Sequence, residues 1–166
     1  MLTRPFLLAL ALASGLAAAQ FPGFSQQYVQ RLGGAVDALA AEAQAFDASA
    51  RDAGLTRGEA LNRYAASGDP FLMSRGDDMT ALLTRFEALR GDLATLQFAG
   101  PFGRLTHVAR LTDPEVAART WESFEPSVPV TATGFSFTAG GFAGGYALGA
   151  LVLGLIRLPF RRRQTA

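Results

Sequence analysis

The sequence predicts a mainly α-helical protein, with antiparallel long helices and short ones between them forming a domain carried by a C-terminal transmembrane helix. Three observations lead there. Apolar residues recur three and four apart through the middle of the chain, charge-free apolar runs stand near both ends, and nothing reads as a strand of any length. The expected divisions are 1–19, a signal peptide or uncleaved first span; 20–126, a helical domain; 127–133, an extended juxtamembrane connection; 134–156, the transmembrane helix; and 157–166, an Arg-rich tail.

The first apolar run, "PFLLALALASGLAAA", follows Arg4 and the amino terminus and ends in Ala17-Ala18-Ala19 before Gln20. This is the layout of a secretory signal peptide, with small residues where the peptidase needs them. At about 1.5 Å per residue the run is short for a hydrocarbon core of about 30 Å, which favours cleavage. The alternative is a retained span, with Ala11, Gly15 and Ala19 as a small-residue face for a partner helix.

The second run, Gly134 to Ile156, has no charged residue and is long enough to cross a bilayer. Arg157, Arg161, Arg162 and Arg163 follow it, so the positive-inside rule places the C-terminus in the cytoplasm and sends the middle domain into the periplasm of a Gram-negative inner membrane. Within the run, Gly141, Gly145 and Gly149 recur every four residues, with Gly140 and Gly144 as a second ridge beside them. Such a glycine-zipper register lets another backbone approach closely, and the partner is a second copy or, if retained, the first span.

Helix signals mark out the middle. Pro22-Gly23 is expected to break any helix continuing from the leader, with Ser25 as N-cap of a long amphipathic helix that carries Tyr28, Leu32, Ala35, Leu39, Phe46 and Ala50 on one face. That helix runs to about Asp52 and is closed by Gly54; Gly33-Gly34 is a weak point inside it. Thr56 and Glu59 form a capping box for a short helix ending near Gly68, before a break at Asp69-Pro70. Met79, Leu82, Phe86, Leu89, Leu93 and Leu96 then make a coiled-coil-like seam expected to pack against the first long helix. Asp113-Pro114-Glu115 opens a helix through about Phe124. Arginines four residues after acids, at Asp47 and Arg51, Glu59 and Arg63, and Glu115 and Arg119, add modest support. Pro126 and Pro129 hold the connection to the last helix extended, and Trp121 is placed as an interfacial anchor.

Composition excludes several chemistries. All fifteen basic side chains are arginine and no cysteine is present, which removes lysine Schiff bases, a P-loop lysine, disulfides and thiol nucleophiles. Between Gln20 and Thr133 ten arginines face fourteen acids, interleaved at helical spacing, so no nucleic-acid partner is expected. His107 is the single histidine, no serine sits in an elbow motif, and scattered carboxylates do not make a zinc site. Asp77-Asp78 reads as a charged first helical turn, and Glu122 with Glu125 as a water-facing pair on one turn. No catalytic residue, cofactor or metal is expected.

The stretch after the leader also carries Gln26, Gln27, Tyr28, Gln30 and Arg31, a juxtamembrane polar motif suited to headgroups, a neighbouring subunit or another helix. With Phe21-Pro22, Phe24, Leu32-Gly33-Gly34 and Asp37, and later Thr120-Trp121, Phe124, Pro126, Val128-Pro129 and the glycine-rich run, it resembles a family of small bacterial membrane proteins known only as a domain of unknown function. The resemblance covers almost the whole chain and implies membrane location and the same layout, without activity or cofactor. The expected role is noncatalytic: an inner-membrane protein that associates with itself or with another envelope protein. The alternative is a small channel or membrane-stress valve built from glycine-lined helices.

Overall fold

The computed structural model describes residues 3–128 and 130–161, and they are helical with no strand among them. The order is α1 (Thr3–Ala19), α2 (Phe21–Asp52), α3 (Arg57–Ala65), α4 (Pro70–Leu96), α5 (Pro101–Thr106), a 3-10 turn (Val108–Arg110), α6 (Pro114–Glu122) and α7 (Ala132–Arg161). The chain divides into two compact units. One comprises its two ends, Met1–Gln26 and Phe124–Ala166, and the other Gln27–Ser123.

The break expected at Pro22-Gly23 is reduced to one residue and falls just before the proline. A single residue, Gln20, separates α1 from α2; its N–H closes a turn on the Ala17 carbonyl at 3.1 Å, and its carbonyl accepts from Phe24 N–H at 3.0 Å. Pro22 falls in the first turn of α2, where its missing N–H has no helical partner to lose. Ser25 is therefore not a cap; it is buried and donates to the Pro22 carbonyl at 3.1 Å. The helix also runs straight through Gly33-Gly34.

The end-unit is a helical hairpin, in which α1 and α7 come into close contact along their lengths. Two stretches, Thr3–Asp52 and Ala132–Ile156, contain windows long and apolar enough to cross a membrane. Leu7, Ala11, Gly15 and Ala19 are the buried residues of α1, a spacing of four that keeps them on one face. Beyond the helix contact, Phe21 stacks on Phe137 with centroids 5.6 Å apart, and Phe24 meets Phe124 edge-on at 5.7 Å. The Gln20 side chain closes that end, donating to the Ser127 carbonyl at 3.2 Å and accepting from Ser127 N–H at 3.1 Å. The connecting segment has no helix from Phe124 to Val128; Pro129, Arg162 and Arg163 lie outside the described residues.

In the middle unit the local signals set the helix ends. Thr56 and Glu59 form the capping box, with Glu59 N–H donating to Thr56 Oγ1 and Thr56 N–H to Glu59 Oε2 at 2.7 Å. Asp69 caps α4 and Pro70 starts it. Asp113 caps α6, accepting from Val116 N–H at 2.9 Å, and that helix stops at Glu122, so Glu122 and Glu125 do not share a turn. Gly54 and Gly68 take positive φ at the ends of α2 and α3, where Cβ-bearing residues are strained. Asp77 and Asp78 lie well inside α4 rather than in its first turn, because that helix begins at Pro70; Asp78 pairs with Arg75 at 3.3 Å.

Leu83, Leu89 and Leu96 are the buried leucines of α4, and its backbone comes close to that of α3. Gly76 explains this: a Cβ there would stand 2.8 Å from Tyr64 Cβ, so the absent side chain admits α3, while Tyr64 in turn stacks on Phe46 of α2. A Cβ at Gly91, later in α4, would meet nothing within 4 Å. Gly91→Ala is expected to stabilise the unit by about 1 kcal/mol through helix propensity. Gly76→Ala is expected to destabilise it by about 1–3 kcal/mol through overpacking. Thermal melts followed by circular dichroism distinguish the two, and equal shifts of the same sign would refute the packing argument.

Candidate functional site

A groove of about 500 Å³ lies between α2, α4 and α6 in the middle unit. Its floor is Gly34, Ala35 and Ala38, and the space exists because these are small: a Cβ on Gly34 would touch nothing within 4 Å. Leu39 and Val116 add apolar wall, and Arg31, Arg85, Glu115 and Arg119 form the rim. The glycine that reads in sequence as a weak point thus sits at an opening in the structure.

Arg85 organises the charged side of the groove. Its Nη1 reaches Glu115 Oε2 at 2.6 Å and its Nη2 reaches Asp113 Oδ1 at 3.2 Å, while Nε is buried and has no hydrogen-bond partner among the described residues. Glu115 also accepts from Arg119 at 2.8 Å. Hydrogen bonding from Arg85 holds the Glu115 carboxyl below its usual range, with the charge of Arg85 and then Arg119 adding to the effect. The planar guanidinium fork suits this double contact in a way a lysine would not.

The polar motif of α2 splits between two directions. Tyr28 turns into the core, fully buried, and its hydroxyl accepts a hydrogen bond from Asp113 N–H at 3.1 Å; burial raises its pKa. Gln27, Gln30 and Arg31 instead line a shallow surface depression with Ser123, to whose Oγ the Arg31 guanidinium donates. Gln26 is exposed, and so is Trp121, at 72 % of its full accessibility.

The glycines of α7 also divide. Those at 141, 145 and 149 face α1: a Cβ on Gly141 would lie 2.5 Å from Ala18 Cβ and 2.7 Å from the Ser14 carbonyl, one on Gly145 would collide with Ser14, and one on Gly149 would lie 2.8 Å from both Leu7 and Leu10. Gly15 completes the contact from the other side, 2.9 Å from the Thr138 carbonyl if given a Cβ. Gly140 and Gly144 touch nothing within 4 Å. Arg157 and Arg161 fall within the last turns of α7.

This geometry stands beside one family match, a model that covers residues 2–162. The chain belongs to the family described as Protein of unknown function (DUF2937). No curated protein and no solved structure matches the chain. Membership in DUF2937 assigns no residue a role, so the groove of this DUF2937 chain is read from its own side chains.

Several contacts were not legible in the sequence. Asp47 bonds Arg57 through both carboxylate oxygens, at 2.8 and 2.6 Å, instead of the expected Arg51, whose Nε bonds the Asp47 backbone carbonyl. Glu59 is spent on its capping box and not on Arg63. Arg104 is buried, donates to the Leu96 carbonyl at 3.2 Å, and has its pKa lowered by burial. These partners lie across turns or between elements, where spacing within one helix gives no signal. Among the described residues no group of His, Cys, Asp and Glu is placed to hold a metal ion.

Two outcomes follow from these contacts. Tyr28→Phe removes the acceptor of a buried N–H and is expected to cost about 1–3 kcal/mol in denaturant unfolding, and an unchanged midpoint would remove that bond from the account. Asp47, Glu59 and Glu115 all have lowered pKa values, the first through its bond from Arg57, the second through the Thr56 backbone N–H and the third through Arg85. A depressed folded pKa gives stability that is complete above the unfolded value, about 4, and lost as pH falls through the folded value. Thermal midpoints should therefore hold steady from neutral pH to about 5 and fall below about 4. Glu115→Gln should lower the neutral plateau and make the acid fall shallower; a fall as steep as in the parent protein would contradict the assignment.

Proposed function

We propose that this is a noncatalytic bacterial inner-membrane protein, anchored by α1 and α7 as a two-helix hairpin, which holds its middle unit in the periplasm to bind another envelope protein or a further copy of itself. The observation that carries the reading is the fit of Gly141, Gly145 and Gly149 to α1. In a membrane, close packing of small residues is what joins helices, since lipid tails are as apolar as leucine side chains. Here the register is satisfied within one chain, which leaves association with other molecules to the middle unit and its arginine-rimmed groove. It also takes the three glycines away from any pore lining, which weakens the channel alternative.

The same contact supports retention of the N-terminal segment. Ala19 is buried, Ala18 lies against Gly141, and Gln20 is clasped to Ser127, so a peptidase would have to pull an ordered helix end from its partner to cut there. Arg4 at one end, with Arg157 and Arg161 to Arg163 at the other, favours both termini in the cytoplasm.

Intact mass and N-terminal sequencing of the protein from isolated membranes test the anchor, with a chain that keeps residues 1–19 as the expected result. A chain beginning at Gln20 would overturn the hairpin. Gly145→Leu is expected to part the two helices, exposing the loosened chain to protease in membranes while the native mass of any assembly formed by the middle unit stays unchanged. Loss of assembly without added protease sensitivity would instead return the glycines to an interface between chains.

A further inference from the structure

From residue 93 to 112 the chain contains no carboxylate, although the middle unit as a whole is rich in acids. This stretch holds the end of α4, all of α5 and the 3-10 turn. It carries four exposed apolar side chains, Phe98, Phe102, Leu105 and Val108, of which Phe98 is 87 % accessible. Phe102 and Leu105 are three apart on α5, Phe98 stands in the turn between α4 and α5, and Val108 opens the 3-10 turn. The carboxylates that border the stretch are both paired, Asp92 with Arg110 at 2.8 Å and Asp113 with Arg85 at 3.2 Å, and His107 is exposed beside Val108. The segment is held in place: Arg104 ties α5 back to the end of α4, and Leu111 is buried.

Its place in the unit gives the face a partner. The unit begins at Gln27 and ends at Ser123, and Arg31 bonds Ser123, so the chain enters and leaves at one end. Tyr28, the second residue of the unit, bonds Asp113. Val108 precedes Asp113 by five positions, a span of about 18 Å at most. Val108, and Asp92 held by Arg110 at 2.8 Å, therefore lie toward the end at which the chain enters and leaves this unit. Exposed Trp121 precedes the point of exit.

We infer that Phe98, Phe102, Leu105 and Val108 form a lipid-contact face, seated at the boundary between phosphates and acyl chains of the periplasmic leaflet. The inference rests on the membrane reading proposed above. A stretch without carboxylates of its own, whose neighbour Asp92 is paired with Arg110, meets anionic phosphates with little repulsion, and aromatic residues favour the interfacial layer. Burial of such a face reaches about 5–10 Å into the headgroup and acyl boundary.

The single tryptophan makes the test direct. In a Trp121→Phe background, Phe98→Trp places one indole on the face and, in a second variant, Leu148→Trp places one on exposed α7; both full-length proteins are reconstituted in phosphatidylethanolamine and phosphatidylglycerol vesicles, with circular dichroism confirming an unchanged fold. The expected result for Phe98→Trp is a blue-shifted emission that is lost with lipids brominated high on the acyl chain and little affected by bromine near the chain end, while Leu148→Trp is quenched by the deep bromine. If Phe98→Trp is quenched by aqueous acrylamide and not by bromolipid while Leu148→Trp responds to lipid, the contact face is refuted and the membrane reading stands. Protection of Phe98→Trp from both quenchers would assign the face to a second protein copy and refute the lipid contact. Failure of Leu148→Trp to respond to any bromolipid would refute the membrane reading and the inference with it.

Discussion

The structure depends on how closely two helix backbones can approach. Gly141, Gly145 and Gly149 on α7, met by Ala11, Ser14, Gly15 and Ala18 on α1, remove the side-chain layer that normally separates helix axes. Backbone and side-chain atoms then touch across the contact, which is made of many small dispersion contacts. Without that approach the two apolar ends of the chain would be separate helices, and the Phe21 to Phe137 stack and the Gln20 to Ser127 clasp would have nothing to hold them together. The glycines give up helix propensity, about 1 kcal/mol each in a soluble helix, in exchange for the contact.

The middle unit is stabilised differently. Its helices are short or only partly buried, and several of its long-range links are charged: Asp47 with Arg57, Asp92 with Arg110, and Arg85 with Asp113 and Glu115. Exposed ion pairs contribute little each, so these contacts specify which helix meets which more than they add stability. An all-arginine chain suits that role, because a guanidinium engages both oxygens of one carboxylate, as Arg57 does, or bridges two carboxylates, as Arg85 does. The groove lined by Gly34, Ala35 and Ala38 lies beside the Arg85 cluster, so its rim is set by the same contacts that fasten α4 to α6.

Comparison of individual elements shows where sequence reading succeeds. The capping box at Thr56 and Glu59, the stop at Gly54 and the starts at Asp69-Pro70 and Asp113-Pro114 depend on hydrogen bonds and backbone angles within a few residues, and each is found where local chemistry places it. Pro22-Gly23 marks a boundary one residue long, because Pro22 sits in the first turn of α2, where its missing N–H is not needed. For the candidate site, Arg31 and Arg119 stood out in the sequence through the polar motif and the helical ion pair. Arg85 did not, since its partners lie on another element.

The sequence by itself determined the helical class, most helix boundaries and the two apolar segments, because these depend on residue type and spacing along a few turns. Tertiary structure decided what those helices meet. That α7 turns its glycines to α1, that α4 approaches α3 through Gly76, that Tyr28 faces Asp113 and that Asp47 takes Arg57 over Arg51 all depend on residues far apart in the chain. A periodic face shows that a helix has a partner, but the choice among partners is made by shape and distance once the chain has folded.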